Sequence, residues 1–99
     1  MIPERAQRMI EHMRHVLTSL AETTDLHHFT NLTNELSAAI GNLVGDVDDE
    51  WLNELRNAWF QLEHISAMAL DSAQRKLTEH ELRDVGRGIH ELRVLLTEY

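Results

Sequence analysis

Cysteine is absent from the 99 residues, proline occurs once, glycine four times, and the aromatics are two Trp, two Phe and one Tyr. Each shortage removes something. Without cysteine there is no disulfide, no thiolate nucleophile and no cysteine-ligated zinc or iron–sulfur site. The glycines that do cluster, Gly86 and Gly88, follow no strand and lack the rest of a phosphate-cradling fingerprint. Neither tryptophan belongs to the Trp-x-Gly turn of secreted helical hairpins, since Trp51 precedes Leu-Asn and Trp59 precedes Phe-Gln.

Basic residues are also scarce, nine Lys and Arg against seventeen Asp and Glu, for a formal charge of −8. Such a chain repels phosphate backbones, so nucleic acid is not an expected partner and a basic protein suits it better. The plainer role of net charge is to keep a small protein in solution. No run approaches the ~20 consecutive apolar residues of a membrane span. The opening MIPERAQRMIEHM lacks the apolar centre and cleavage site of a secretory signal. No membrane contact and a cytoplasmic address are therefore expected.

A chain of 99 residues, 42% hydrophobic and 26% charged, has the composition of one globular domain, since a second core would be too small to offset chain entropy. Apolar residues recur at threes and fours, and strand-like alternation is missing, so the class is all-α. Helix 1 is predicted over roughly 3–22, with Ile2, Ala6, Met9, Met13, Val16 and Leu20 on one stripe and Pro3 in the tolerated first turn. Helix 2, capped by Thr24 or Asp25, carries Leu26, Phe29, Leu32, Leu36, Ile40 and Leu43 and is expected to reach about Val44, ending at Gly45.

Helix 3 is expected to start after Asp48 and to run through Trp51, Leu52, Leu55, Trp59, Leu62, Ile65 and Ala69 to a basic end at Arg75 and Lys76. Thr78 with Glu81 forms a capping box, and Leu77 can staple onto Leu82. Helix 4 then carries Leu82, Val85, Ile89, Leu92, Leu96 and Tyr99. Its Gly86 and Gly88 call for either a bend or a close neighbour. Three short connections favour antiparallel neighbours, and the expected architecture is an antiparallel up-down four-helix bundle over 1–99.

The most suggestive segment is GDVDDEWLNELRNAWF at 45–60. As a calcium loop it fails, because the sixth position from Asp46 is Trp51 and the twelfth is Asn57. Asp48 as a cap, with Asp49 and Glu50 in the first turn, explains the acidity through the helix dipole. Glu50 and Glu54, with Glu81 and Asp84, resemble the paired acidic motifs of all-α nucleotide pyrophosphohydrolases, which hold magnesium between two helices. The pattern breaks at Trp51, and an antiparallel hairpin puts the two pairs at opposite ends.

Seven histidines raise metal binding and pH sensing as alternatives. His12 and His15 could face one ion, but further ligands are needed and no Glu-x-x-His element occurs. On a helical wheel they lie with Arg5 and Arg8 on a basic flank. Arg75 and His80 resemble the Arg-x4-His element of helical HEPN ribonucleases, across an expected helix break. Asp71-Ser72 resembles the phosphopantetheine site of acyl carrier proteins, but Ala73 follows in place of leucine.

What the core does not explain is a second stripe on helix 3, formed by Phe60, His64, Ala67 and Met68. Phenylalanine and methionine are suitable interface anchors. The expectation is a non-enzymatic bundle without cofactor that binds protein, as regulator, inhibitor, immunity-type protein or adaptor. A metal-dependent bundle enzyme and a structural homo-oligomer subunit are the alternatives.

Overall fold

Four helices account for most of the computed structural model, which describes residues 2–98: α1 (Glu4–Glu22), α2 (Leu26–Gly41), α3 (Asp49–Asp71) and α4 (Glu79–Leu96). Three of them begin at a capping side chain. Asp25 accepts a hydrogen bond from the His28 N–H at 2.9 Å, and Asp48 from the Trp51 N–H at 3.1 Å. Each satisfies a donor that the first turn leaves open. The capping box of α4 is complete: the Thr78 hydroxyl accepts from the Glu81 N–H at 3.1 Å, and the Glu81 carboxylate from the Thr78 N–H at 2.8 Å.

Packing joins α1 to α2, α2 to α3, α3 to α4 and α4 back to α1, with diagonal pairs apart among the described residues. Neighbours are antiparallel. Arg5 in α1 reaches Asp46 beyond the end of α2, and the Thr30 hydroxyl early in α2 lies 2.8 Å from that of Ser66 late in α3. The Trp51 Nε1–H, at the start of α3, donates to the Leu95 carbonyl near the end of α4 at 2.8 Å. These contacts define an up-down four-helix bundle measuring 43 × 20 × 19 Å. No helix among the described residues is long and apolar enough to cross a membrane.

The core follows the apolar stripes, with corrections. Ile10 and Leu17 join the α1 arc, while Ala58 and Ser66 occupy α3 positions more buried than the expected Trp59 and Ile65. At 100° per residue Ala58 lies nearer the centre of the buried arc. Trp59 sits at its edge, half-buried, and its Nε1–H donates to the Thr33 carbonyl of α2 at 2.8 Å.

Two helices stop earlier than their periodicity suggests. α2 ends at Gly41 rather than Val44, because beyond it the backbone donors reach back three residues: Leu43 to Ile40, Val44 to Gly41 and Asp46 to Leu43. Leu43 nevertheless stays fully buried, so the stripe outlasts the helix. Gly45 turns the chain at φ +87°, in the left-handed region that glycine enters without steric cost.

α3 ends at Asp71, short of Arg75 and Lys76. Ala73, with φ 56°, closes a Schellman motif in which its N–H donates to the Leu70 carbonyl at 3.0 Å and the Gln74 N–H to that of Ala69 at 3.2 Å. The basic pair then lies in the loop, where it serves a different purpose. The Leu26 N–H donates to the Arg75 carbonyl at 3.0 Å and the Leu77 N–H to the Thr24 carbonyl at 2.9 Å, forming an isolated antiparallel bridge between the two loops at this end. A helix continuing through Arg75 would forfeit that bridge.

α4 runs unbroken through both glycines. A Cβ on Gly88 would lie 2.9 Å from Leu62 Cδ2, whereas one on Gly86 would meet nothing within 4 Å. Close approach to α3, not a bend, is thus the reason at Gly88. Tyr99, expected on the same stripe, lies outside the described residues.

Candidate partner-binding face

α3 has two neighbours, α2 and α4, which cover its inner half and leave an outer half in water. Phe60 stands near the middle of that outer half and is 61% exposed. His64 and Ala67 are exposed beside it, and Met68 is 54% exposed toward α4. All four residues of the expected second stripe therefore lie outside the core. Among the described residues the Phe60 ring has one aromatic neighbour, the half-buried Trp59, with centroids 6.5 Å apart and planes at 67°. Trp59 is itself tethered to α2, so one side of the Phe60 ring rests on an ordered support.

The surface around Phe60 is shallow. Between α2 and α3 a hollow is lined by Ser37, Ile40, Arg56, Asn57, Trp59 and Phe60. On the other flank an open hollow of about 420 Å³ between α3 and α4 is bordered by Glu54, Ala58, Gln61, Glu91 and Val94. There the Gln61 Nε2–H donates to the Glu91 carboxylate at 3.0 Å. Both hollows are open to solvent and mix apolar lining with one or two charged groups.

The other candidates are dispersed. His12 and His15 are exposed on α1, where His12 Nε2 lies 3.8 Å from a Glu35 carboxylate oxygen of α2. Among the described residues no group of three or more His, Asp or Glu side chains is placed to hold a metal ion. Glu50 and Glu54 lie at the end of the bundle where α3 starts and α4 finishes, while Glu81 and Asp84 lie at the other. The second pair is also engaged: Glu81 in its capping box and with Gln74, and Asp84 with His80 and Arg87, each at 3.5 Å. Arg75 lies in the α3–α4 loop and His80 in the first turn of α4, and Asp71-Ser72 closes α3 without opening a helix.

Asp46, first met in the acidic run, has a structural partner. Its carboxylate accepts two hydrogen bonds from the Arg5 guanidinium, at 2.7 and 2.6 Å, and this bidentate bond holds its pKa below the usual carboxylate range. At Glu81 burial pushes the pKa up, but hydrogen bonds from Thr78 and Gln74 outweigh it and the net shift is downward. Both carboxylates fasten helix ends.

Three exposed apolar residues escaped the sequence reading: Val44 at 55%, Leu70 at 47% and Val94 at 51%. Val44 was hidden because α2 was expected to continue through it. Leu70 and Val94 carry no local signal, since exposure at the margin of a stripe depends on how closely the neighbouring helix lies. Comparison of the chain with protein-family models, curated proteins and solved structures finds no match.

Proposed function

We propose that this chain is a non-enzymatic helical module that acts by binding protein through the outer face of α3. The observation that supports the reading is Phe60, an aromatic side chain 61% exposed at the centre of a long helix and standing on an anchored tryptophan. Exposed single apolar groups are common, but aromatic rings on a firm base are what hot spots are built from. Met68, on the same helix two turns on, supplies an adaptable second anchor. The excess of seventeen acidic over nine basic residues favours a partner that presents basic groups, and it speeds encounter more than it adds affinity.

The test is Phe60→Asp. Because the ring is exposed, the variant should keep the helical circular dichroism and melting cooperativity of the parent while losing association. Loss of folding instead would make Phe60 a structural residue, and the reading would lose its main support.

A further inference from the structure

On the outer stripe of α3 three pairs of positions exchange charge or size when the helix is reversed, while Asn53 and Asn57 on the same face have no such counterpart. Counting outward from the point between Glu63 and His64, Phe60 stands opposite Ala67, and Arg56 stands opposite Asp71. A large apolar group mirrors a small one, and a cation mirrors an anion. With Phe60 as zero and 100° per residue, Arg56, His64, Ala67 and Asp71 all fall within about 40° of it and Glu63 within about 60°. Five of the six are exposed and Glu63 is half-buried. Arg56, Glu63, His64 and Asp71 make no ion pair within the described residues, although other surface charges do.

The stripe also departs from the chain's acidity. Against a net charge of −8, it sets Arg56 and His64 beside Glu63 and Asp71. A face shaped for a strongly basic partner would carry acid alone, whereas a face that alternates sign under reversal complements itself. We propose that α3 pairs antiparallel with α3 of a second copy, across a two-fold axis passing between Glu63 and His64. This rests on the protein-binding reading above and names its partner. A two-fold axis makes every contact twice: Phe60 over Ala67 of the second copy, Arg56 beside Asp71 of the second copy, and Glu63 beside His64 of the second copy. The basic group that each copy meets is then the other's arginine.

The contact is modest in size. From Arg56 to Asp71 the helix covers ~22 Å at 1.5 Å per residue. One helix face of that length falls below the ~800 Å² per partner of a standard stable interface, so the dimer belongs to the weak, transient class. With a net charge of −8 on each copy the overall field opposes encounter of two copies and is damped by the ~8 Å screening length at 0.15 M salt, so the pairing rests on the local contacts of the stripe and should strengthen as salt rises.

Sedimentation equilibrium of the full chain, over about 5–500 µM at 0.15 M salt, should show a monomer–dimer transition. Arg56→Asp or Asp71→Arg alone places like charges against each other twice, and should weaken self-association about tenfold or more. The double variant R56D/D71R restores opposite charges and should return it to within about threefold of the parent. A parent that stays monomeric throughout, single reversals without effect, or a double variant as weak as the singles each overturn the pairing. Should the chain stay monomeric yet capture a different protein in a Phe60-dependent manner, the second-copy assignment alone falls. If Phe60→Asp alters neither, the binding reading falls with it.

Discussion

Gly86 and Gly88 offer two sites for one substitution, on one helix and two residues apart. Replacing a mid-helix glycine by alanine stabilises by roughly 0.5–1 kcal/mol, through lower chain entropy before folding. At Gly86, exposed and with nothing within 4 Å of a new Cβ, the whole gain should appear. At Gly88 the same Cβ would come 2.9 Å from Leu62 Cδ2 and 3.3 Å from Leu62 Cγ. Leu62 is fully buried and cannot swing into solvent, so the core must shift, which costs about 1–3 kcal/mol. Gly86→Ala should therefore raise stability by up to about 1 kcal/mol, while Gly88→Ala should be neutral or lower it by up to about 2.5 kcal/mol. The difference between the two variants isolates the close approach, because the propensity contribution is common to both. Urea unfolding with an unchanged m value measures it directly, and thermal melts should separate by about 4–8 °C per kcal/mol for a domain of this size. Leu62→Val should cost less in the Gly88→Ala background than in the parent, since the smaller side chain makes room. If Gly88→Ala stabilises as much as Gly86→Ala, α3 and α4 do not approach at Gly88 and the packing argument is wrong.

Ala73 holds φ 56°, where a side chain is strained by roughly 1–2 kcal/mol, partly offset by glycine's larger chain entropy before folding of roughly 0.5–1 kcal/mol, so Ala73→Gly should raise the melting temperature by about 3–6 °C. A drop would mean that the Schellman ending of α3 is not formed in solution. The depressed pKa values of Asp46 and Glu81 make their contributions to stability fully present above the ordinary carboxylate range. Those contributions are lost as pH falls from about 4 through the lower folded-state values. Denaturant titrations at successively lower pH should show this loss, and Asp46→Asn should make the decline shallower; an unchanged slope would remove Asp46 as a contributor.

Much of the fold was legible because it is locally encoded. The Thr78/Glu81 box, the Asp48 cap and the choice of Thr24 or Asp25 for α2 declare themselves within a few residues and are found, with Asp25 as the cap, while the four apolar stripes are found with the corrections at Trp59 and Ile65. The candidate face was half legible. Phe60, His64, Ala67 and Met68 could be placed off the core arc by angle, but that Arg56 and Asp71 stand exposed on the same face without an ion pair among the described residues depends on how α2 and α4 flank α3. Apolar periodicity draws attention to apolar residues, and an unpaired surface charge has no local mark.

By itself the sequence determined the number of helices, where three of them are capped, and that short loops make neighbours antiparallel, since caps and periodicity act over a turn or two. Where α2 and α3 end was decided by tertiary structure. The Arg75 and Lys76 segment leaves the helix to bridge with Thr24–Leu26, and Leu43 stays buried without helical backbone. The same holds at Gly88, where a residue that weakens α4 in isolation admits Leu62 from α3. Local rules place each helix start from its own side chains, but an end, a close approach and an uncovered face depend on residues brought near only by the closing of the bundle.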